Sequence, residues 1–194
     1  MSEEIPEGII LRGRVSIGEG AEIQHDVTLG SSDDGELTIG EGCLIRSGAV
    51  IYSGVKIGDR FRSGHNIFVR ENTEIGNDVL LGTNSVIDGD CIVGNDVSMQ
   101  TGVYITRYTT IEDGVFMGPH SVTTNDKYMK SGIELRGAVI KRGAKVGANA
   151  TILPGIIVGR NCVIGSGAVV TRDVADNDVV AGNPARSIKG SKGA

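Results

Sequence analysis

Aliphatic side chains recur at every sixth residue over most of the chain. Written in sixes from Ile39, residues 39 to 128 form fifteen blocks without an insertion, and 13 of the 15 open on an aliphatic residue or Met, Ser63 and Thr123 being the exceptions. The fourth position is Gly, Asn or Asp in 12 of 15 blocks, with Arg60, Tyr108 and His120 departing from the rule. The fifth is small or aliphatic in almost every block. Six more blocks follow at residues 140 to 175, all with Gly, Asn or Asp in fourth place. A period of six does not match the 3.6 of a helix, and segments this rich in Gly and β-branched residues are poor helices.

A coiling β-ribbon accounts for the pattern. Each block predicts a very short strand and a turn, where Gly, Asn and Asp enter the left-handed backbone region at low cost. The first residue of a block points inward as a large knob, and the fifth as a small filler. Three blocks close a triangular coil of about 18 residues, and coils stack at the ~4.8 Å strand spacing. The 21 blocks therefore predict about seven coils of an all-β parallel helix in one domain spanning residues 1–194. One short excursion interrupts it near residues 128–138, with 129–137 leaving the prism, and residues 186–194 read as a tail.

Composition narrows the function. Gly makes up 30 of 194 residues, about twice the usual ~7%, and Trp is absent, so small residues and turns must recur throughout. With a net charge of −5 and no long run of like charge, neither nucleic acid nor an anionic membrane is an expected partner. No segment approaches the roughly 18 apolar residues of a membrane span, and the acidic start MSEEIPEGII has no apolar stretch of signal length, so the cytoplasm is the expected location. Cys43, Cys91 and Cys162 all fall on fifth positions and read as reduced core fillers. Their odd number and the lack of a CxxC pair argue against a metal or disulfide frame.

Histidine chemistry is easy to enumerate, because only His25, His65 and His120 exist. The blocks opening at 63, 81, 99 and 117 stack along one edge, which brings His65, Asn84 and His120 to it. Three coils, roughly 14 Å, separate the two histidines, too far for a shared ion with ligands ~2 Å away. No metal is therefore expected. His65, third in its block, reads first as a surface turn residue and stands second as a substrate contact. His120 occupies a turn position immediately before the rhythm breaks, with Asn125 and Asp126 following it. Such a histidine can take a proton from an attacking nucleophile or hold an amine by a hydrogen bond.

The chain resembles the hexapeptide-repeat acyltransferases, whose coils form a left-handed parallel β-helix; the resemblance runs from about Val15 to Lys189. That hand is implied by the family and runs against the usual right-handed crossover. The resemblance implies a homotrimer with active sites in the grooves between prisms. VTRDV and GNPARSIK are similar to the acyl-coenzyme A half of the family. They imply acetyl-coenzyme A as co-substrate, with Ala148 and Ser166 bordering the pantetheine groove, Thr171 and Arg172 farther along, and Arg186 with Lys189 meeting phosphates. Basic side chains suit phosphates.

GPHSVTTNDKY is similar to the segment of nucleotide-sugar N-acetyltransferases of the UDP-2-acetamido-3-amino-2,3-dideoxy-glucuronate N-acetyltransferase type. This implies that His120 orients the acceptor amine or relays its proton, that Asn125 and Asp126 shape the sugar pocket, and that Asn84 contacts the sugar or nucleotide. Residues 58 to 76 resemble the same group and make Arg70 and Glu71 nucleotide contacts. The family's proline after the tyrosine is Met129 here. Members that acetylate a hydroxyl carry a histidine after the GPxxxxT stretch, because a hydroxyl is a poor nucleophile without a base. Here Asn125, Asp126 and Lys127 occupy those places, which turns the expectation toward an amine in surface polysaccharide or glycan assembly. With about a dozen residues before the first predicted coil, the acceptor is expected to be held by the prism edge and loop alone. An O-acetyltransferase acting on a sugar or small hydroxyl acceptor is the alternative. A non-catalytic β-helix assembly module is the alternative of another class, and coenzyme A binding separates it from an enzyme.

Overall fold

The computed structural model describes residues 8–31 and 35–188. Lys189, one of the expected phosphate contacts, lies outside the described residues. Most strands are only two residues long, and they line up in three sheets that form the faces of a left-handed parallel β-helix, all pairs being parallel except the terminal antiparallel pair of Val179–Ala181 with Arg186–Ser187. The first face runs from Ile10–Leu11 to Val169–Val170 in nine strands, the second from Arg14–Ile17 to Ile157–Val158 in eight, and the third from Glu22–Ile23 to Arg186–Ser187 in ten. No described residue is helical.

The nine strands of the first face set about nine coils, where the block count gave about seven. The difference has a physical origin at the amino-terminal end. Val50 pairs with Phe68 at an offset of 18, but Thr28 pairs with Val50 at an offset of 22. Four additional residues after Leu29 put the first strands out of phase with the sixes, although they stack on the same three faces. At the other end the offset shrinks, with Val163 opposite Val179, so the last coil also escapes a strict count of six.

Leading residues build the core in vertical columns. Leu29, Ile51, Val69, Ile87 and Ile105 stack behind the first face, and Ile45, Leu81, Met99 and Met117 behind the third, all fully buried. Each such side chain contributes roughly 1.5–3 kcal/mol by leaving water. Cys43, Cys91 and Cys162 are buried fillers, as their fifth positions suggested. Burial raises all three thiol pKa values, those of Cys91 and Cys162 to about 11.

Ser63 and Thr123, the two leading positions without an aliphatic residue, are where the strand ladder changes. At each, the hydroxyl replaces a backbone carbonyl as acceptor: the Arg46 N–H donates to Ser63 Oγ at 2.8 Å, and the Thr106 N–H to Thr123 Oγ1 at 2.9 Å. The Thr123 hydroxyl also meets the hydroxyls of Thr106 and Thr109 at 3.2 and 3.3 Å. The excursion leaves the prism directly beyond this cluster. Across it Thr110 pairs with Val139, an offset of 29 instead of 18, so the loop adds eleven residues.

Candidate active site

Three edges join the faces, and two of them carry the candidates. The histidine edge links the third face to the first. Its fourth turn positions are Gly48, Asn66, Asn84, Gly102, His120, Asn149 and Gly167, all in the left-handed region. The loop edge links the first face to the second and carries residues 70–73, 88–91 and 106–109 and the excursion from Thr124.

Positive φ is routine for Asn and Asp, which make up ten of the fourteen non-glycine cases; the others are Arg60, Tyr108, His120 and Met129. Three of those four are the fourth-position exceptions of the repeat. Arg60 has a structural reason, since its guanidinium makes two 2.7 Å bonds to Asp78 on the next coil. Tyr108, at φ 69, has the Arg107 guanidinium 5.6 Å from its ring centroid. His120, at φ 56, is exposed, and its ring folds over the turn at Gly102. A Cβ at Gly102 would overlap the imidazole Nδ1, so the missing side chain provides the histidine's seat. This backbone region is costly for a bulky side chain and less so for His, so the exposed His120 and Tyr108 stand out as candidate site residues.

Above His120 the edge continues without interruption. The Asn149 N–H donates to Pro119 O at 2.9 Å and the Gly167 N–H to Ala148 O at 2.8 Å. Ala148 and Ser166 therefore stand one and two coils beyond the histidine, roughly 5 and 10 Å away along the prism. Arg186 lies past them on the final coil, exposed, where Ala185 N–H bonds to Val169 O. Below, Asn84 Oδ1 accepts from Asn66 at 3.3 Å, and His65 shares a 2.8 Å bond with Ser47 Oγ.

The remaining candidates stand on the loop edge. Asn125 donates to Arg107 O at 3.3 Å, while Asp126 Oδ1 caps the N–H groups of Tyr128 and Met129 at 2.9 and 2.7 Å. Within one chain these two residues do not meet His120, because the strand Val122–Thr123 intervenes; the five residues to Asn125 span roughly 16 Å. Arg70 is committed to Glu71 at 2.9 Å and Asp88 at 3.0 Å, and Arg107 joins Glu71 at 3.3 Å and Asp90. The hydrogen bonds to Asp88 and to Asp90 raise the respective guanidinium pKa values. Desolvation, then Asp88, raises that of Tyr104. Thr171 and Arg172 follow Val169–Val170 onto this edge as well.

The split is level-matched. His120 shares its coil with Asn125 and Asp126, Ser166 with Thr171 and Arg172, and His65 with Arg70 and Glu71, each pair divided by one strand of the first face. Between the edges, the outward side chains of that face are mostly apolar: Val50, Phe68, Val86, Tyr104 and Val122. Sequence stacking found the histidine edge but did not select Tyr108 as a candidate, although its break with the fourth-position rule was a visible signal. Tyr108 borders an open cleft of about 600 Å³ completed by Ile133, Glu134 and Leu135.

Comparison with known proteins agrees with this architecture. The family model described as bacterial transferase hexapeptide (six repeats) matches residues 72–107 and 137–172, on either side of the excursion, and that of the hexapeptide repeat of succinyl-transferase matches 36–67. A dTDP-3-amino-3,6-dideoxy-alpha-D-galactopyranose 3-N-acetyltransferase of Aneurinibacillus thermoaerophilus is 50% identical over 52 residues, 27% of each chain. A putative serine acetyltransferase of Schizosaccharomyces pombe is 39% identical over 87 residues, 45% of this chain and 31% of that one. The matches thus span about a third or less of these relatives. Among solved structures, a UDP-N-acetylglucosamine acyltransferase from Bacteroides fragilis superposes with a TM-score of 0.73 at 18% identity, covering 96% of this chain and 73% of the other. The acetyltransferase domain of PglB from Neisseria gonorrhoeae, in complex with acetyl coenzyme A, gives 0.52 at 19% identity over 75% and 57%. With the repeat models together covering just over half of its length and its coils stacked in register, the chain belongs to the hexapeptide-repeat transferases.

Proposed function

We propose that the protein is an acetyl-coenzyme A dependent N-acetyltransferase that acts, as a homotrimer, on the amine of a nucleotide-linked amino sugar in surface polysaccharide or glycan assembly. The observation that carries this reading is His120: an exposed imidazole at a left-handed turn position, seated on Gly102, one coil below Ala148. Ala148 and Ser166 would border the pantetheine arm, whose amides pair with backbone groups along the edge, while Thr171, Arg172 and Arg186, with Lys189, would meet its distal end. The named activity of the Aneurinibacillus relative, transfer to a 3-amino sugar nucleotide, supports the choice of acceptor.

The level-matched split supports a trimer. A threefold axis facing the apolar first face brings the histidine edge of one copy beside the loop edge of the next, at equal height. His120 then faces Asn125 and Asp126 of a second copy, Ser166 faces Thr171 and Arg172, and Asn84, His65, Arg70 and Glu71 line the groove below.

In such a groove the neutral amine attacks the thioester carbonyl carbon, the carbon–sulfur bond breaks, and coenzyme A leaves as its thiolate. The surplus proton on the new amide nitrogen passes through the His120 imidazole to that thiolate. An amine brings its own lone pair, so His120 acts chiefly by orientation and proton relay. Transfer to a hydroxyl is the second reading, favoured by the serine acetyltransferase relative. Release of free thiol from acetyl-coenzyme A, measured with panels of amino-sugar nucleotides and of hydroxyl acceptors, separates the two. Turnover with hydroxyl acceptors alone would replace the N-acetyl reading.

A further inference from the structure

The cleft at Tyr108 is not used by the reading above, and it has the makings of a binding subsite. One lining residue is Tyr108, 48% exposed, on a backbone conformation that a bulky side chain rarely adopts and that Asn or Gly would hold more cheaply. Ile133 and Leu135 supply aliphatic walls, and Glu134 supplies a carboxylate. The Arg136 guanidinium makes both of its bonds to Glu134 at Oε2, 3.3 and 2.9 Å away, which leaves Oε1 as the acceptor open to a ligand.

The segment is also held in place. Arg136 N–H donates to Asn125 O at 2.9 Å and Gly155 N–H to Arg136 O at 3.0 Å, pinning the returning loop to two coils. Gly137 packs directly on the Tyr108 backbone, where a Cβ would overlap its carbonyl group. The cleft's volume falls in the usual range for small-molecule sites, roughly 300–1,000 Å³.

The geometry points to this cleft as a nucleobase subsite, with the base stacked on Tyr108 and a ring N–H donated to Glu134. Resting on the acceptor class proposed above, this makes Tyr108 and Glu134 the residues that recognise the nucleotide part of the sugar nucleotide. An acceptor-only carboxylate selects among bases by chemistry. Uracil, thymine and guanine each offer a ring imino N–H made acidic by the neighbouring carbonyl, whereas adenine offers only the less acidic exocyclic N6 amino group. The more acidic donor makes the stronger bond to the carboxylate, so the subsite favours the acceptor's base over the adenine of the donor.

Calorimetric titration with UDP, dTDP, GDP and ADP, with coenzyme A at saturation, tests the assignment. At least one of the first three is expected to bind on the order of tenfold tighter than ADP, as a charge-assisted bond to a stacked base implies. Tyr108→Asn, which puts a common turn residue at that φ, should keep or raise Tm and coenzyme A affinity while weakening the nucleotide on the order of tenfold. Glu134→Ala should erase the preference over ADP. Equal affinity for ADP, unchanged binding in Tyr108→Asn, or no nucleoside diphosphate binding would each overturn the subsite. Thiol release with an amino-sugar nucleotide is a separate readout: if it proceeds with an unchanged KM in Tyr108→Asn, acetyl transfer stands and the subsite falls.

Discussion

The imidazole of His120 occupies the space that a side chain at residue 102 would need, and Gly102 is the residue one coil below it. The same glycine sits at φ 70, so an alanine there would face both the ring and an unfavourable backbone region. Gly102→Ala is expected to lift the imidazole from its seat and lower kcat about 10- to 100-fold, with the far-ultraviolet spectrum unchanged, because misplacing a reacting group by about an ångström is that damaging. His120→Ala should lower kcat on the order of 10²–10⁴-fold. His120→Asn keeps a residue suited to the left-handed turn, so it should match the wild-type Tm while staying inactive. Full activity in His120→Asn would reduce His120 to a turn residue.

Thr123 predicts a stability effect far larger than its size. Valine would restore the aliphatic leading residue of the repeat, yet the Thr106 N–H would lose its 2.9 Å acceptor inside a fully buried hydroxyl cluster. A buried donor left without a partner costs about 1–3 kcal/mol, or roughly 2–10 °C in Tm for a domain of this size. Thermal unfolding of Thr123→Val measures it; an unchanged Tm would mean that the strand can slide back into a regular ladder.

The repeat made the fold legible because knob and filler positions obey one period, and departures from that period carried the rest. Ser63 and Thr123 turn out to be acceptors, Arg60 an ion-pair partner, and His120 and Tyr108 exposed groups on turns. Two things escaped a count of six. Four additional residues after Leu29 hid the first coils, since periodicity registers phase and not stacking. Proximity in sequence also misled: Asn125 follows His120 by five residues, but in an extended strand five residues cross a whole face.

The three cysteines give a pH dependence with a definite sign. Burial raises the folded-state thiol pKa to about 11 for Cys91 and Cys162, above the ordinary thiol value of 9.0. Below pH 9 both folded and unfolded chains keep these protons, and stability is unaffected by them. Between about 9 and 11 the unfolded chain releases protons that the folded chain retains, so stability falls as pH rises through this window. Denaturant midpoints at pH 8, 9.5 and 10.5 should decline in that order, and the decline should shrink in a Cys91→Ala, Cys162→Ala variant. Thiol reagents at pH 8 should label the native protein slowly and all three cysteines after unfolding.

The division of the site between two edges predicts complementation between inactive subunits. Val86 lies at the middle of the apolar first face, so in the proposed trimer Val86→Glu should cause dissociation, read as a fall in mass by light scattering, and abolish thiol release although His120 is intact. Two further variants test the division itself. His120→Ala damages only the histidine edge and Arg172→Glu only the loop edge, so each homotrimer should be nearly inactive. In trimers co-assembled from equal amounts of the two, a groove is intact when an Arg172→Glu copy supplies its histidine edge and a His120→Ala copy supplies its loop edge. Random assembly around a threefold axis makes that about a quarter of all grooves, so roughly a quarter of wild-type activity should return. If both residues served one subunit's own site, every site would carry one lesion and mixing would recover nothing.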